Sequence, residues 1–203
     1  MIEEFNDTYK DFAYYKAINN DVVATLETTN KILPIVKGKD NEMYLNLSIN
    51  RQEDIYGTPF LDANIDYQKS DILIVYGHST INDQWGFTFI KKYFDESADI
   101  EKIITVNDEK GYKKFKVVAA KIVDSKDNGD RFWVRYGFDD YEDKERYLKK
   151  FIKDANQVFE RRIKKEARIL LLVTCQMENK NKRYVLMLAE EWKYGLKSHL
   201  FVA

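Results

Sequence analysis

The sequence predicts a mostly β protein with peripheral helices, in an α+β or barrel-like arrangement. Three observations predict it. Short apolar runs rich in Val, Ile and Leu recur along the chain, each bounded by turn-forming residues. The strongest, at 169–190, reads as two apolar strands joined by a polar Glu-Asn-Lys-Asn loop. Helical spacing is confined to three stretches, near the start, at 87–94 and at 141–165.

Taken in order, residues 3–18 place Phe5, Tyr9, Phe12 and Tyr15 on one face of an amphipathic helix, which Asn19, Asn20 and Asp21 break. Strand-like runs follow at 22–26 and 32–36, then a turn at 38–41 and short strands at 43–45 and 57–61, where Pro59 suits an edge or a strand start. The run DILIVY at 71–76 is the best buried strand of the first half and leads directly into Gly77-His78. A short helix at 87–94 turns Phe87, Ile90 and Phe94 inward. Strands at 103–106 and 115–123 are separated by a turn at 107–111, and Asn128-Gly129 turns the chain into a strand at Phe132-Trp133-Val134. Asp139-Asp140 supply cap chemistry for a long helix from Tyr141 to about 165, its apolar positions running from Tyr141 through Leu148, Phe151, Ile152, Ala155 and Phe159 to Ile163.

The 203 residues suffice for one domain with a sizeable core, or one domain with an appendage. Lys and Arg number 33 against 34 Asp and Glu, so no global field argues for nucleic acid or an anionic membrane. A single cysteine excludes an internal disulfide, and the fold must hold by packing. No apolar run reaches the roughly 20 residues that span a bilayer, and residues 1–20 are too charged for a signal peptide. Either the protein is cytosolic or an N-terminal anchor lies outside this chain.

Cys175 closes the first strand of the 169–190 pair and Arg183 opens the second. Antiparallel pairing would set the thiol and a permanent cation side by side. A lone cysteine is either a small buried hydrophobe or a nucleophile, and the second role needs a neighbouring imidazole or guanidinium. Of the two imidazoles, His78 ends the 71–76 strand, where a side chain can project into a cleft, whereas His199 lies in an aperiodic tail and reads as an exposed residue. Alone, His78 reads as a satisfied structural histidine and Arg183 as a surface arginine. Together, two strand ends and a strand start can converge on one sheet edge, each side chain on a rigid element. Two histidines and one cysteine at these spacings form no zinc or calcium site, and no cofactor is expected.

The ordered set of motifs resembles the sortases, specifically class B. The stretch 19–26 is similar to the family's Asn-Pro-Asp-Val-Val-Gly-Trp-Ile opening, 32–45 to its Tyr-Pro-Val-Val-Gln-Gly stretch, and 57–62 to its Gly-Ser-Ile-Phe-Leu-Asp strand. Tyr76-Gly77-His78 matches its Gly-His signature, Leu172-Val173-Thr174-Cys175 its Leu-x-Thr-Cys, and Arg183-Tyr184-Val185 its Arg-Phe/Tyr-Val. Ser79 departs from the usual Asn, Val173 from a frequent Ser, and Ala24-Thr25 from Gly-Trp, which bears on substrate preference more than on chemistry.

The resemblance implies an eight-stranded β-barrel with an N-terminal helix and a long helix before the cysteine strand. It divides the chain into a helical segment at 1–20, a catalytic domain at 21–191 and a tail at 192–203. It implies a cysteine transpeptidase that cleaves a sorting signal after Thr through a thioacyl-enzyme and passes the acyl group to an amine of peptidoglycan or a pilin. Cys175 would be the nucleophile, His78 the general acid and base, and Arg183 the oxyanion or substrate-backbone donor. Thr174 either helps to line the pocket or is a β-propensity residue. The expected partners are the sorting-signal peptide and the amine acceptor, at the outer face of a Gram-positive membrane, with the usual anchor lost by truncation. A thiol hydrolase and a non-catalytic peptide-binding relative stay open as alternatives.

Overall fold

The protein, represented by a computed structural model, is described over residues 10–79, 86–125, 132–175, 179, 181–191 and 200–202. In chain order the elements are α1 (Phe12–Ile18), β1 (Val22–Thr28), β2 (Lys31–Val36), a 3-10 turn (Met43–Leu45), β3 (Phe60–Leu61), β4 (Ile72–Tyr76) and a 3-10 helix (Thr88–Phe94). They continue with β5 (Ile103–Asp108), β6 (Gly111–Asp124), α2 (Tyr141–Lys153), β7 (Gln157–Val158), β8 (Arg162–Lys164), β9 (Ile169–Cys175), β10 (Lys182–Glu191) and β11 (Leu200–Val202).

Strands β10, β9, β4, β3, β2, β1, β5 and β6 hydrogen-bond in that order, and a further β10–β6 pairing closes them into a ring of eight. The apolar runs account for this. In β9 every residue from Ile169 to Thr174 is buried, and in β10 every residue from Tyr184 to Ala189, as befits strands covered on both faces. β5 covers only the first part of the 14-residue β6. The rest of that edge is capped by the chain after α2, with Asn156 N donating to Ala120 O at 2.9 Å and Phe159 N to Val118 O at 2.8 Å.

That capping overrides the helix expected to run to 165. The periodic residues Ala155, Phe159 and Ile163 continue the apolar spacing, yet Asp154 ends α2, and the backbone beyond it satisfies β6 and forms β7 and β8. The strand expected at 43–45 is a 3-10 turn, because Asp40 Oδ1 accepts from the amides of Glu42 and Met43. The strand expected at 132–134 is irregular: Trp133 O accepts from the Tyr147 hydroxyl, and the Phe132 ring lies 4.6 Å from Lys121 Nζ. Of the predicted first helix, residues 12–18 are helical, capped by Asp11, while 3–9 and the Asn128-Gly129 turn fall outside the described residues. The 192–203 tail contributes β11, which pairs with β8.

α2 starts at Asp140, whose carboxylate accepts from Asp143 N, and it buries Tyr147, Leu148, Phe151 and Ile152. Lys144 is buried on the same helix, and its Nζ donates to the carbonyls of Lys165 and Ala167 at 3.1 and 2.6 Å. A backbone-satisfied ammonium thus ties the helix to the start of β9. No helix among the described residues is long and apolar enough to cross a membrane.

A polar cluster pins the ends of β5, β6, β9 and β10. Asp108, 4% exposed, accepts from the Tyr67 hydroxyl at 2.7 Å and pairs with Lys113. Arg168 donates to the carbonyls of Ser70 and Tyr67 and stacks over the Tyr67 ring. Burial pushes the Asp108 carboxyl up, but hydrogen bonds from Lys113, Tyr67 and the Lys110 amide outweigh it and hold the group below its ordinary 3.8. Its contribution to stability is therefore complete above that value and is lost as pH falls through the lower folded value. Asp108→Asn should cost about 1–3 kcal/mol at pH 7 and flatten the fall in stability below pH about 4. Urea melts at pH 7 and pH 3 check both.

Candidate active site

Strand register decides where the three chemically distinctive side chains lie. β9 and β10 pair antiparallel with Cys175 directly opposite Arg183. β4 runs parallel to β9 with Tyr76 opposite Val173, and Gly77 N continues the ladder by donating to Val173 O at 3.0 Å. Continuing that register by two residues brings His78 level with Cys175. Neighbouring strands lie about 4.8 Å apart, so thiol, imidazole and guanidinium stand on three consecutive strands with the thiol in the middle.

The faces agree. Side chains alternate along a strand, so Cys175 shares a face with Val173, and Arg183 with Val185. Val185 pairs with both Val173 and Lys121, and Lys121 lies under the rings of Phe132 and Phe151. The row therefore lies where that face runs out from beneath α2 and the segment before it. Cys175, His78 and Arg183 are each partly exposed, so solvent reaches all three.

His78 is held at both ring and backbone. Its Nε2 lies 2.8 Å from Leu45 O. A carbonyl oxygen can only accept, so Nε2 carries the proton of that bond, and in the neutral ring Nδ1 keeps the lone pair. Phe87 N donates to His78 O at 2.8 Å, and Ser79 bridges to Gly86. A Cβ at Gly86, whose φ is +56°, would lie 2.2 Å from His78 O, and one at Gly77 would lie 2.8 Å from the Phe87 ring. Neither position tolerates a side chain. Arg183 donates from Nη1 to Lys182 O at 3.0 Å.

Thr174 is 2% exposed and pairs with Tyr184, on the face opposite Cys175. Its Oγ1 and that of Ser79 are buried without a hydrogen-bond partner. His199 falls outside the described residues. A cleft of about 470 Å³ between the β1–β2 turn and the Thr88–Phe94 helix is lined by none of the row residues. Among the described residues no cluster of His, Cys, Asp and Glu is assembled to hold a metal ion. The sequence reading passed over the Leu45 carbonyl; its only sequence trace is Gly57, twelve residues on, whose backbone presses against it.

Comparison with known proteins agrees with this architecture. The family model of the sortase domain matches residues 25–191. Sortase B of Staphylococcus aureus is 26% identical over 169 residues, covering 81% of this chain and 67% of that protein. Sortase B of Listeria monocytogenes is 25% identical over 178 residues, covering 86% of this chain and 70% of that protein. The crystal structure of Clostridium perfringens sortase B superposes with a TM-score of 0.80 at 27% identity, over 89% of this chain and 99% of that one. The Staphylococcus aureus sortase B–substrate complex superposes at 0.78 with 25% identity, over 89% of this chain and 84% of that one. The chain belongs to the sortase family, and within it to class B.

An unpartnered buried hydroxyl opposes folding, because it loses its water and gains nothing in return. Thr174→Val should therefore raise stability by about 1 kcal/mol, read from urea denaturation. A fall of that size would show that the hydroxyl has a partner.

Proposed function

We propose that this sortase is a cysteine transpeptidase acting on the sorting signal of a surface protein or pilin, and that residues 21–191 form its catalytic domain. The single observation that carries the reading is the register that aligns His78, Cys175 and Arg183 on consecutive strands, all partly exposed. A related sortase B captured with its substrate supports a peptide as the ligand.

The Cys175 thiolate attacks the carbonyl carbon after the Thr of the signal. The tetrahedral oxyanion is met by the Arg183 guanidinium, whose charge persists at all physiological pH. Collapse breaks the C–N bond, His78 gives its proton to the departing amine, and a thioester remains on Cys175. An acceptor amine of peptidoglycan or a pilin then attacks the thioester and yields its proton to His78. The thiolate departs, the new amide is released, and the enzyme is regenerated. Thr174, adjacent to the nucleophile, supports the pocket wall from behind. The enzyme acts at the outer face of a Gram-positive membrane, where the family works.

The test incubates the protein with a fluorogenic sorting peptide, with and without an added amine. Amine-linked product is expected; cleavage to the free acid alone would identify a hydrolase, and no cleavage a binding relative. Cys175→Ala should abolish both cleavage and the acyl adduct seen by mass spectrometry. Arg183→Lys keeps the charge but loses the planar fork, and should lower kcat about 10²–10³-fold with KM little changed. Steady-state kinetics on the same peptide measure it.

A further inference from the structure

We propose that the Met43–Leu45 turn is the positioning device for His78: the Leu45 carbonyl, wedged by Gly57 and moored through Tyr44, fixes the ring so that Nδ1 faces the reacting groups. The proposal rests on the active-site reading above and adds the residues that set up its acid and base.

The Leu45 carbonyl reaches His78 from a different part of the chain, 33 residues upstream, and it is immobilised from three sides. Gly57, at φ +56°, presses its backbone against the turn, and a Cβ there would lie 2.4 Å from Tyr44 O and 2.5 Å from Leu45 O. Thr58 N donates to Tyr44 O at 3.0 Å, and Thr58 Oγ1 to Leu47 O at 2.9 Å, closing the loop across its base. The Tyr44 side chain, 1% exposed, anchors the other side. Its hydroxyl donates to Asp21 Oδ2 at 2.6 Å and accepts from Asn19 Nδ2 at 2.8 Å, and Arg51 pairs with the same Asp21 at 3.0 Å.

The loop and the imidazole also share a frame. Just past Gly57, Phe60 of β3 pairs with Tyr76 of β4, and their rings lie 5.4 Å apart. Tyr76 is two residues before His78. The carbonyl and the ring it receives are thus referenced to one strand pair, and neither can drift without the other. Nε2–H is spent on Leu45 O, so the proton passed to the leaving amine and taken from the acceptor amine travels through Nδ1. Leu45, Gly57 and Tyr44 touch no reacting atom; they act through His78.

The direct test is the ring tautomer, read by long-range ¹H–¹⁵N NMR of the neutral histidines, with His199→Gln used to assign the two resonances. Wild-type protein is expected to show His78 protonated at Nε2 alone; a proton on Nδ1 would overturn the proposal without any further variant. Gly57→Ala must displace the Leu45 carbonyl. It is expected to mix the tautomers and to lower kcat for peptide transfer about 10- to 100-fold, with KM held within about twofold. Tyr44→Phe keeps the buried ring and removes only the mooring hydroxyl, so it should change both readouts in the same direction and by less, and it serves if the alanine variant does not fold. Wild-type transfer with both variants retaining tautomer and kcat would overturn the positioning role and leave the transpeptidase reading intact. An Nε2-protonated His78 that mixes in the variants, in a protein that processes no sorting peptide, would support the positioning role and overturn the functional reading.

Discussion

A slip of one residue between β9 and β10 would set Arg183 opposite Thr174 and turn it to the other side of the sheet. Register is thus the constraint on which the site depends, and the apolar core alone does not impose it. Leu170, Leu171 and Leu172 face Leu188, Met187 and Leu186 with both faces buried, so a slipped pairing would still bury hydrocarbon. The discrimination comes from polar groups at the strand ends. Ile169 N donates to Asp71 O, Glu190 N to Arg168 O and Ser125 N to Asn181 O, while the Arg168 guanidinium is satisfied by Ser70 and Tyr67. Each would be left buried and unpaired by a slip, a larger penalty than any loss of packing between similar aliphatic side chains.

The same division explains what the sequence revealed. β4, β9 and β10 were legible because long apolar runs with turn residues at both ends admit few other readings. So was the adjacency of Cys175 and Arg183, since a tight antiparallel connection leaves little choice of register. The end of α2 was not legible. Ala155, Phe159 and Ile163 satisfy helical spacing, and only the uncovered edge of β6, distant in sequence, draws that backbone away. Met43-Tyr44-Leu45 looked like a strand because Tyr44 is apolar enough for a core and because its hydroxyl partners, Asn19 and Asp21, are more than twenty positions earlier. The Leu45 carbonyl was invisible for a plainer reason: a main-chain oxygen carries no sequence signature.

Both ends of the barrel are organised by buried polar groups, in different ways. At one, Tyr67, Asp108, Lys113 and Arg168 neutralise each other and close the structure. At the other, the groups beside Cys175 are less completely used. Ser79 and Thr174 keep buried hydroxyls without partners, and Cys175 and Arg183 remain accessible. An end that leaves polar capacity unspent is the one suited to receive something from outside.

Closure of the ring has a consequence for what can be received. Each of the eight strands has a neighbour on either side, and the part of β6 left open by β5 is sealed by the chain after α2. An extended guest therefore finds no free row of amides and carbonyls with which to lengthen the sheet. Its main chain must be gripped by side chains and loop carbonyls, one contact at a time. Discrimination between guests then falls on a few close-range fits around the thiol, and product can leave without unzipping a strand.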